Sequence, residues 1–310
     1  SIRRQRQMYI RDSIKIVYDT FDSNEALLAK MQAGATGYDV IFPSDYMVAI
    51  MRKSDLLAPL DRSKLPNLAN IEPKFLNLYF DPGNQYSTPY LWGTTGIAVR
   101  IDKIKTPVDS WMTLFKPPAE LHGRISMLND MRDVIGAALK ALGYSINSVN
   151  PAEIAAAKKL VLEQKAAVKL YDSANYKIHL DTAEVWLGHA WNGDVSALYW
   201  KGNKNLRFVL PKEGGVMYME NVCIPKSAPH KENAIKFINF LMNPRTAADI
   251  SNYTYYATPN KAAKPFILKA VLEDKTIYPP ESVLKKFEFL QDVGRAMRMY
   301  EDAWLEIKVQ

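Results

Sequence analysis

The chain alternates β-strand and α-helix patterns from its first clear segment onwards, and this alternation limits its possible folds more than any other feature. IKIVY (residues 14–18) is rich in β-branched residues and predicts a strand. In the helical segment that follows, Asp22 and Glu25 have capping-box spacing and Gly34 marks the end. YDVIF (residues 38–42) predicts a second strand. Such a unit predicts a parallel strand pair with a right-handed crossover, and ligands that bind beyond the carboxyl ends of the strands.

The alternation continues to the end of the chain. Residues 86–100 predict two extended runs that break at Gly93. Further strands are expected in SALYW (residues 196–200) and LRFVL (residues 206–210). Helices are expected over residues 133–144, 151–164, 182–188, 232–242, 282–290 and 294–309. A chain of 310 residues can bury a large core, and no linker separates independent domains, so we expect two interleaved α/β lobes.

Composition argues against several classes of protein. The net charge of +7 comes from scattered Lys and Arg residues, which favours a solvated surface over a nucleic-acid or membrane interface. No apolar run approaches the roughly 20 residues of a membrane-spanning helix. The start, SIRRQRQMYIRD, does not predict a signal peptide, so an exported form would be a mature or trimmed chain. Cys223, the single cysteine, lies in the apolar run NVCIP and is expected to be a buried, inert thiol.

The motifs of common enzymes are missing from the sequence. The four histidines show no metal-ligand spacing. There is no GxSxG, no HExxH and no glycine-rich phosphate loop. A carboxylate pair for glycoside hydrolysis stays open as an alternative, because two acids need only meet in space. We therefore expect a protein that is not an enzyme and that uses no metal and no cofactor.

An aromatic ring stands two residues before a carboxylate in PKEGGVMYMENVCIP (residues 211–225). These residues are Tyr218 and Glu220. An organic cation needs this combination, because the ring face attracts an ammonium group and its methylenes while the acid supplies the counter-charge. Ser44 and Tyr46, after the second predicted strand, are either further site residues or ordinary turn residues. Together these pieces predict a receptor that closes around a polyamine.

Other candidates also have a structural alternative. Asp130 and Asp133 lie at a helix start, where they either cap the helix, stabilising it by about 1 kcal/mol, or project into a cleft. Both roles are compatible in one residue. Trp191, in HAWNGD, either lines a site at a turn or packs in the core. Tyr256, near the Thr-Pro-Asn turn, either lines a cleft or lies at the surface.

A series of strings in this chain occurs in the same order in a known family. They include FDSNEALLAKMQAG, GYDVIFPSDYMV, FDPGNQYSTPYLWGTTGIAV, NDMRDVIGAALKALGYS, WNGD, PKEGGVMYMENVCIP, INFLMNPRTA, ATPN and IYPP. Through them the chain resembles the periplasmic spermidine/putrescine-binding proteins of bacterial ABC transporters, from about Lys15 to the C-terminus. Several strings in one order are far more specific than any single motif.

The resemblance implies ligand-binding roles for the candidates already named. The matched positions are Ser44 and Tyr46 as a polar and aromatic pair, Asp130 and Asp133 as cleft carboxylates, Trp191 as a ring that stacks on the aliphatic chain, Tyr218 in place of a common Trp, Glu220 in place of the Asp that pairs with an amine, and Tyr256 as a ring near the ATPN turn. Relatives often have Glu at the position of Asp133. A glutamine that contacts ligand in some relatives is displaced here, where Leu290 precedes Gln291.

The resemblance also implies an architecture and partners. It predicts a two-lobed α/β fold of the type II periplasmic-binding-protein class, with a ligand cleft between lobes joined by crossing segments. The expected lobes are residues 1–92 plus 219–265, and residues 93–218 plus 266–310. It implies a monomeric periplasmic receptor that passes spermidine or putrescine to the membrane permease of an ABC importer, without nucleic acid.

Some features depart from the family or leave the ligand open. Relatives begin with a strand and an Asn-Trp-x-x-Tyr motif, and this chain has no such motif. Compared with relatives, the side chain at Asp133 is one methylene shorter and the side chain at Glu220 is one methylene longer. These opposite changes give no preference between putrescine, with two charges, and spermidine, with three. A receptor of the same fold for another small solute, or a cleft hydrolase, remains an alternative.

Overall fold

The computed structural model of the chain describes residues 14–21 and 23–309, which form a mixed α/β molecule. The helices are α1 (Asn24–Gln32), α2 (Asp45–Lys53), α3 (Trp111–Phe115), α4 (Met131–Ala141), α5 (Pro151–Gln164), α6 (Tyr176–Asp181), α7 (Asn192–Trp200), α8 (Lys231–Leu241), α9 (Pro244–Thr254), α10 (Lys269–Leu272), α11 (Glu281–Leu284) and α12 (Met297–Val309). The strands are β1 (Ser87–Arg100), β2 (Ile125–Met127), β3 (Val168–Tyr171), β4 (Leu187–Trp191), β5 (Leu206–Val209), β6 (Val216–Cys223) and β7 (Glu288–Phe289).

The long strand β1 connects two regions of the molecule. Its first part pairs antiparallel with β6, and its second part pairs antiparallel with β4 and β5. The strand order is β3-β2-β4-β1-β6-β7, and β2 runs parallel to β3 and β4. Gly93 lies opposite Tyr218 on β6, and Thr95 lies opposite Trp191 on β4. Because residues two apart in a strand face the same side, β1 brings these two aromatic side chains to neighbouring positions.

Buried side chains form two hydrophobic cores, as expected for two α/β lobes. The first core includes apolar residues of α1, α2, β6, α8 and α9, together with Leu91 and Trp92 from the first part of β1. The second core includes residues of α3, α4, α5 and α12, together with Ile97 and Val99 from the second part of β1. The chain passes from one core to the other within β1, between Trp92 and Ile97.

Several predicted elements are confirmed. Helix α5 spans the expected residues 151–164, and it begins where the Asn150 side chain accepts a hydrogen bond from the Ala152 amide at 3.0 Å. Helix α1 ends before Gly34, whose φ of +77° suits a residue without a Cβ atom. Strand β5 lies within the expected run of residues 206–210. Cys223 is buried, and burial raises the pKa of its thiol well above the usual value.

The predicted strand–helix–strand unit near the N-terminus is wrong. Residues 14–18 form no strand, because this β-branched run pairs with no strand of the described residues, and Val17 and Tyr18 are 86% and 79% exposed. In residues 38–42 only Ile41 makes a bridge, antiparallel to Cys223. The capping residue of α1 is Ser23, whose side chain accepts from the Ala26 amide; the predicted cap, Asp22, lies outside the described residues.

Two further predictions are wrong around β4. Residues 182–188 do not form a helix, because α6 ends at Asp181 and the following apolar residues enter β4 in the middle of the sheet. SALYW is not a strand but the second half of α7, where the Trp200 indole nitrogen donates to Asp274 at 3.1 Å. The tertiary context overrides the strand propensity of this aromatic run.

The predicted break at Gly93 is also wrong, because strand β1 continues through this residue.

The C-terminal region agrees with the predictions only in part. Of residues 282–290, the first part lies in the short helix α11 and the last part in β7. Helix α12 falls within the expected residues 294–309. None of the helices in the described part of the chain is long and apolar enough to cross a membrane.

Candidate functional site

The predicted polar residue Ser44 meets the predicted carboxylate Glu220 next to β6. Ser44 precedes α2, but its hydroxyl does not cap that helix. It donates to Oε1 of Glu220 at 2.8 Å, and the two backbones form an antiparallel bridge. The side chain of Asn24 fixes this geometry, because it accepts from the Ser44 amide and donates to the Ser44 hydroxyl, each at 3.0 Å. Residues far apart in sequence therefore hold Glu220 in one position.

Tyr46 is the second residue of α2 and links another acid to the group. Its side chain is buried, and its hydroxyl donates to Oε1 of Glu25 at 2.8 Å. Glu25 was expected only as part of a helix cap, but the structure places it beside the predicted site residues. Glu25 lies in the first turn of α1, next to Asn24, and no local sequence signal showed that this helix start meets Ser44. Tyr46 is thus a packed residue of α2 and not an ordinary turn residue.

Asp130 has the capping role considered for it, and Asp133 lies in the first turn of α4. Asp130 caps α4, because its Oδ1 accepts from the amides of Arg132 and Asp133 at 3.0 Å each. Asp133 lies in the first turn, and its Oδ2 accepts from the indole nitrogen of Trp191 at 3.0 Å. Trp191 is half-buried and packs against the second core, so the expected core role holds at least in part, while its indole nitrogen contacts a candidate carboxylate.

Three of the predicted aromatic residues each pack against another aromatic ring. Tyr218 and Tyr256 make an edge-to-face contact with ring centroids 6.4 Å apart. Trp191 packs in the same manner against Tyr176, at 6.0 Å. The hydroxyl of Tyr176 donates to Oδ2 of Asp194 at 2.9 Å. Tyr176 and Asp194 were not among the predicted residues, although Asp194 belongs to the WNGD string that drew attention to Trp191.

Two glycines allow the aromatic rings to come so close to the backbone. A Cβ atom on Gly93 would lie 2.6 Å from the Tyr218 hydroxyl oxygen and 2.5 Å from Oδ1 of Asn192. A Cβ atom on Gly193 would lie 2.5 Å from the ring of Tyr256. Both glycines are therefore needed for the position of a ring and not for backbone flexibility.

The carboxylates of the site are desolvated, and their pKa values are raised. Burial raises the pKa of Glu220 to about 7, against the hydrogen bond from Ser44 that lowers it. Burial, followed by the charge of Glu25, raises the pKa of Asp130 to about 6. Burial, followed by the charge of Asp130, raises the pKa of Asp133 well above its usual value. For Asp130 and Asp133 the nearby charge of Arg132 acts in the opposite direction but does not offset burial. A cation that entered the site would stabilise the ionised acids and would therefore be bound strongly.

The structure thus brings all eight predicted residues into one linked group. Ser44 donates to Glu220, and the negative charge of Glu220 adds to burial in raising the pKa of Tyr218. The negative charge of Asp130 likewise adds to burial in raising the pKa values of both Glu220 and Tyr46. Trp92 is not part of this group and packs in the first core against Phe75 and Tyr278. Among the described residues, no group of His, Cys, Asp and Glu has the arrangement of a metal site. The group combines carboxylates with aromatic rings, which are the two kinds of side chain that an organic cation requires.

Comparisons with known proteins agree with this architecture. Residues 12–279 match the family described as bacterial extracellular solute-binding protein. The spermidine/putrescine-binding periplasmic protein of Escherichia coli (strain K12) is 39% identical over 297 residues, which are 95% of this chain and 84% of the relative. The putrescine-binding periplasmic protein SpuD of Pseudomonas aeruginosa (strain UCBPP-PA14) is 36% identical over 95% of this chain and 85% of its own length.

A solved structure extends the likeness to three dimensions. The putative spermidine/putrescine ABC transporter from Listeria monocytogenes is similar with a TM-score of 0.94 and 34% sequence identity, over 99% of this chain and 95% of that chain. This likeness confirms the two-lobed α/β fold of the type II periplasmic-binding-protein class. On the family match, the sequence identities and the fold together, the chain belongs to the bacterial extracellular solute-binding protein family.

Proposed function

We propose that the chain is an extracytoplasmic solute receptor that binds a polyamine, spermidine or putrescine, and delivers it to an ABC importer. The observation that carries the proposal is the meeting of three desolvated carboxylates with a group of aromatic rings at one site. The names of the relatives, which refer to spermidine and putrescine, support the same ligand class.

In this proposal the ligand pairs its ammonium groups with the buried acids. Glu220, Asp130 and Asp133 neutralise the ammonium groups, while Trp191, Tyr218 and Tyr256 enclose the methylenes between their faces. Each desolvated cation–π contact contributes about 2 kcal/mol. Ser44 and Tyr46 act at the acidic end, where Ser44 orients Glu220 and Tyr46 orients Glu25. Binding in this scheme makes and breaks no covalent bond, so the protein is a receptor and not an enzyme.

The transport role follows from the fold. We propose that the lobes, residues 1–92 plus 219–265 and residues 93–218 plus 266–310, close around the ligand by a hinge motion at the crossing segments. The first core also includes Ile267, Val271 and Leu290, so these residues pack beside the first of the two proposed lobes. The closed monomer would then dock on a membrane permease from the periplasmic side.

Titration calorimetry of the purified chain tests the proposal. Putrescine, cadaverine, spermidine and spermine are titrated in turn at two salt concentrations, with a neutral sugar and a neutral amino acid as control ligands. We expect saturable binding of one polyamine per chain, weaker at the higher salt concentration, and no heat from the controls. Binding of a control solute in preference to every polyamine would support a receptor of the same fold for another solute, and turnover of a bound ligand would support an enzyme.

A further inference from the structure

A fixed positive charge is buried at the start of α4, between two of the proposed ligand carboxylates. Arg132 is 0% exposed and stands between Asp130 and Asp133 in the sequence. Its Nη1 donates to the backbone oxygen of Gln291 and its Nη2 to Oδ1 of Asn147, both at 3.1 Å. The guanidinium lies over the ring of Tyr46 at 6.0 Å and over that of Tyr300 at 4.8 Å.

This charge is not neutralised by a direct partner. Both hydrogen bonds of the Arg132 guanidinium go to neutral oxygens, and its buried Nε has no hydrogen-bond partner in the described part of the chain. Burial raises the pKa values of Asp45, Asp130 and Asp133. The charge of Arg132 has the opposite and smaller effect on each of these pKa values and so favours the ionised forms. No acid among the described residues forms an ion pair with Arg132, so its charge acts on these three carboxyls together.

A buried arginine is unexpected in a site for cations, and its position suggests what it does. We propose that Arg132 is a specificity-determining residue that limits how many positive charges the site accepts. The inference rests on the proposed polyamine-binding function. Arg132 repels every ammonium group of a ligand that binds beside Asp130 and Asp133. A ligand with three charges therefore experiences one more repulsion than a ligand with two, and the guanidinium shifts the preference toward the ligand with two charges.

The ratio of two affinities tests this inference, because a general loss of structure would weaken both ligands alike. Arg132→Gln removes the charge and keeps a donor for the backbone oxygen of Gln291. We expect the affinity for spermidine relative to putrescine to rise about tenfold, the size of one charge–charge interaction at a partly buried site. Arg132→Lys keeps the charge but loses the guanidinium that donates to two acceptors at once. The spermidine-to-putrescine affinity ratio should therefore stay within about threefold of the wild-type value.

Substitutions at Asn147 separate the charge from the hydrogen bonds. Asn147 accepts from Arg132 and from the Gln291 amide, and donates to the backbone oxygen of Phe289 at 2.8 Å. Asn147→Asp places a negative charge against the guanidinium and neutralises it in place, which should raise the spermidine-to-putrescine ratio. Asn147→Asp also loses the hydrogen bond to Phe289. Asn147→Ala loses that bond and the two accepted bonds without a change of charge, and should leave the ratio unchanged. If Arg132→Gln does not fold, this pair of variants decides the question.

Calorimetry with putrescine and spermidine on each folded variant provides the readout. An unchanged ratio in Arg132→Gln, or equal ratios in Asn147→Asp and Asn147→Ala, would overturn the inference and leave Arg132 with a structural role only. A wild-type protein that binds neither polyamine would overturn the proposed function, and this inference with it. A wild-type protein that binds polyamines, combined with unchanged ratios, overturns the inference alone.

Discussion

Replacing Glu220 with Gln should weaken polyamine binding and at the same time stabilise the ligand-free protein. Gln has nearly the same shape as Glu, and its side-chain oxygen can still accept from the Ser44 hydroxyl. The substitution removes only the charge. In the free protein that charge is buried without a counter-ion, and in the complex it would face an ammonium group. The two states therefore respond to the same change in opposite directions.

The magnitude of the stability effect follows from the pKa of Glu220. Burial raises this pKa from 4.5 to about 7, so the folded state holds the proton at a higher pH than the unfolded state. Wild-type stability should therefore fall as the pH rises from 4.5 to about 7, by about 3 kcal/mol in all. Glu220→Gln should regain that amount at pH 8 and nothing below pH 4.5. Affinity for the polyamine should fall by about 2–5 kcal/mol, because an ammonium group would be left unpaired.

Denaturant unfolding at pH 8 and at pH 4.5, together with calorimetry at pH 8, measures both effects. Glu153→Gln is the matched control, since Oε2 of Glu153 also accepts from a serine hydroxyl, that of Ser148, but at the start of α5 and outside the site. The control should bind normally and lose at most about 1 kcal/mol of stability. The reasoning is refuted if Glu220→Gln binds polyamine like the wild type, or if it is less stable than the wild type at pH 8.

Three further predictions test other parts of the structure. The affinity for polyamine should rise from pH 5.5 to 8, because Asp130 and Glu220, with pKa values of about 6 and about 7, lose their protons over this range. Calorimetry at pH 6 in buffers of different ionisation enthalpy should show that protons are released on binding, and proton uptake would contradict the prediction. Burial lowers the pKa of His189 to about 3, so stability should fall as the pH drops from 6.5 toward 3, and His189→Phe should flatten that dependence in acid unfolding curves; an equal slope in both proteins would contradict it. Gly193→Ala should push the Tyr256 ring out of place and weaken polyamine binding at least about tenfold, and normal calorimetric affinity would show that the ring position is unimportant.

Short-range sequence signals predicted much of the site and some of its surroundings. Asp130 could be recognised as a helix cap because capping depends on residues only two and three positions ahead, and the structure shows those bonds. Helix α5 could be bounded because Asn150 and Pro151 are a local start signal. Tyr218 and Glu220 were predicted as a pair because neighbouring positions along one strand lie close together wherever the strand goes.

Long-range packing explains what the sequence did not predict. Residues 38–42 look like a strand, but only one bridge to β6 forms, because pairing depends on which neighbour is available. Residues 196–200 have strand propensity, but they follow a helix start directly after β4 and continue that helix. Glu25 and Arg132 look like charges on the surfaces of helices. Only the folded chain shows that Tyr46 reaches Glu25 and that the segment around Gln291 covers Arg132.

A crystal structure of the chain with bound spermidine tests the central claim most directly. We predict that the polyamine lies between the first and second cores, with its nitrogens in hydrogen-bond contact with Glu220 and with Asp130 or Asp133, and with its methylenes against the rings of Trp191 and Tyr218. A polyamine bound elsewhere on the protein, or in this cleft with no nitrogen in contact with any of these carboxylates, would contradict the account.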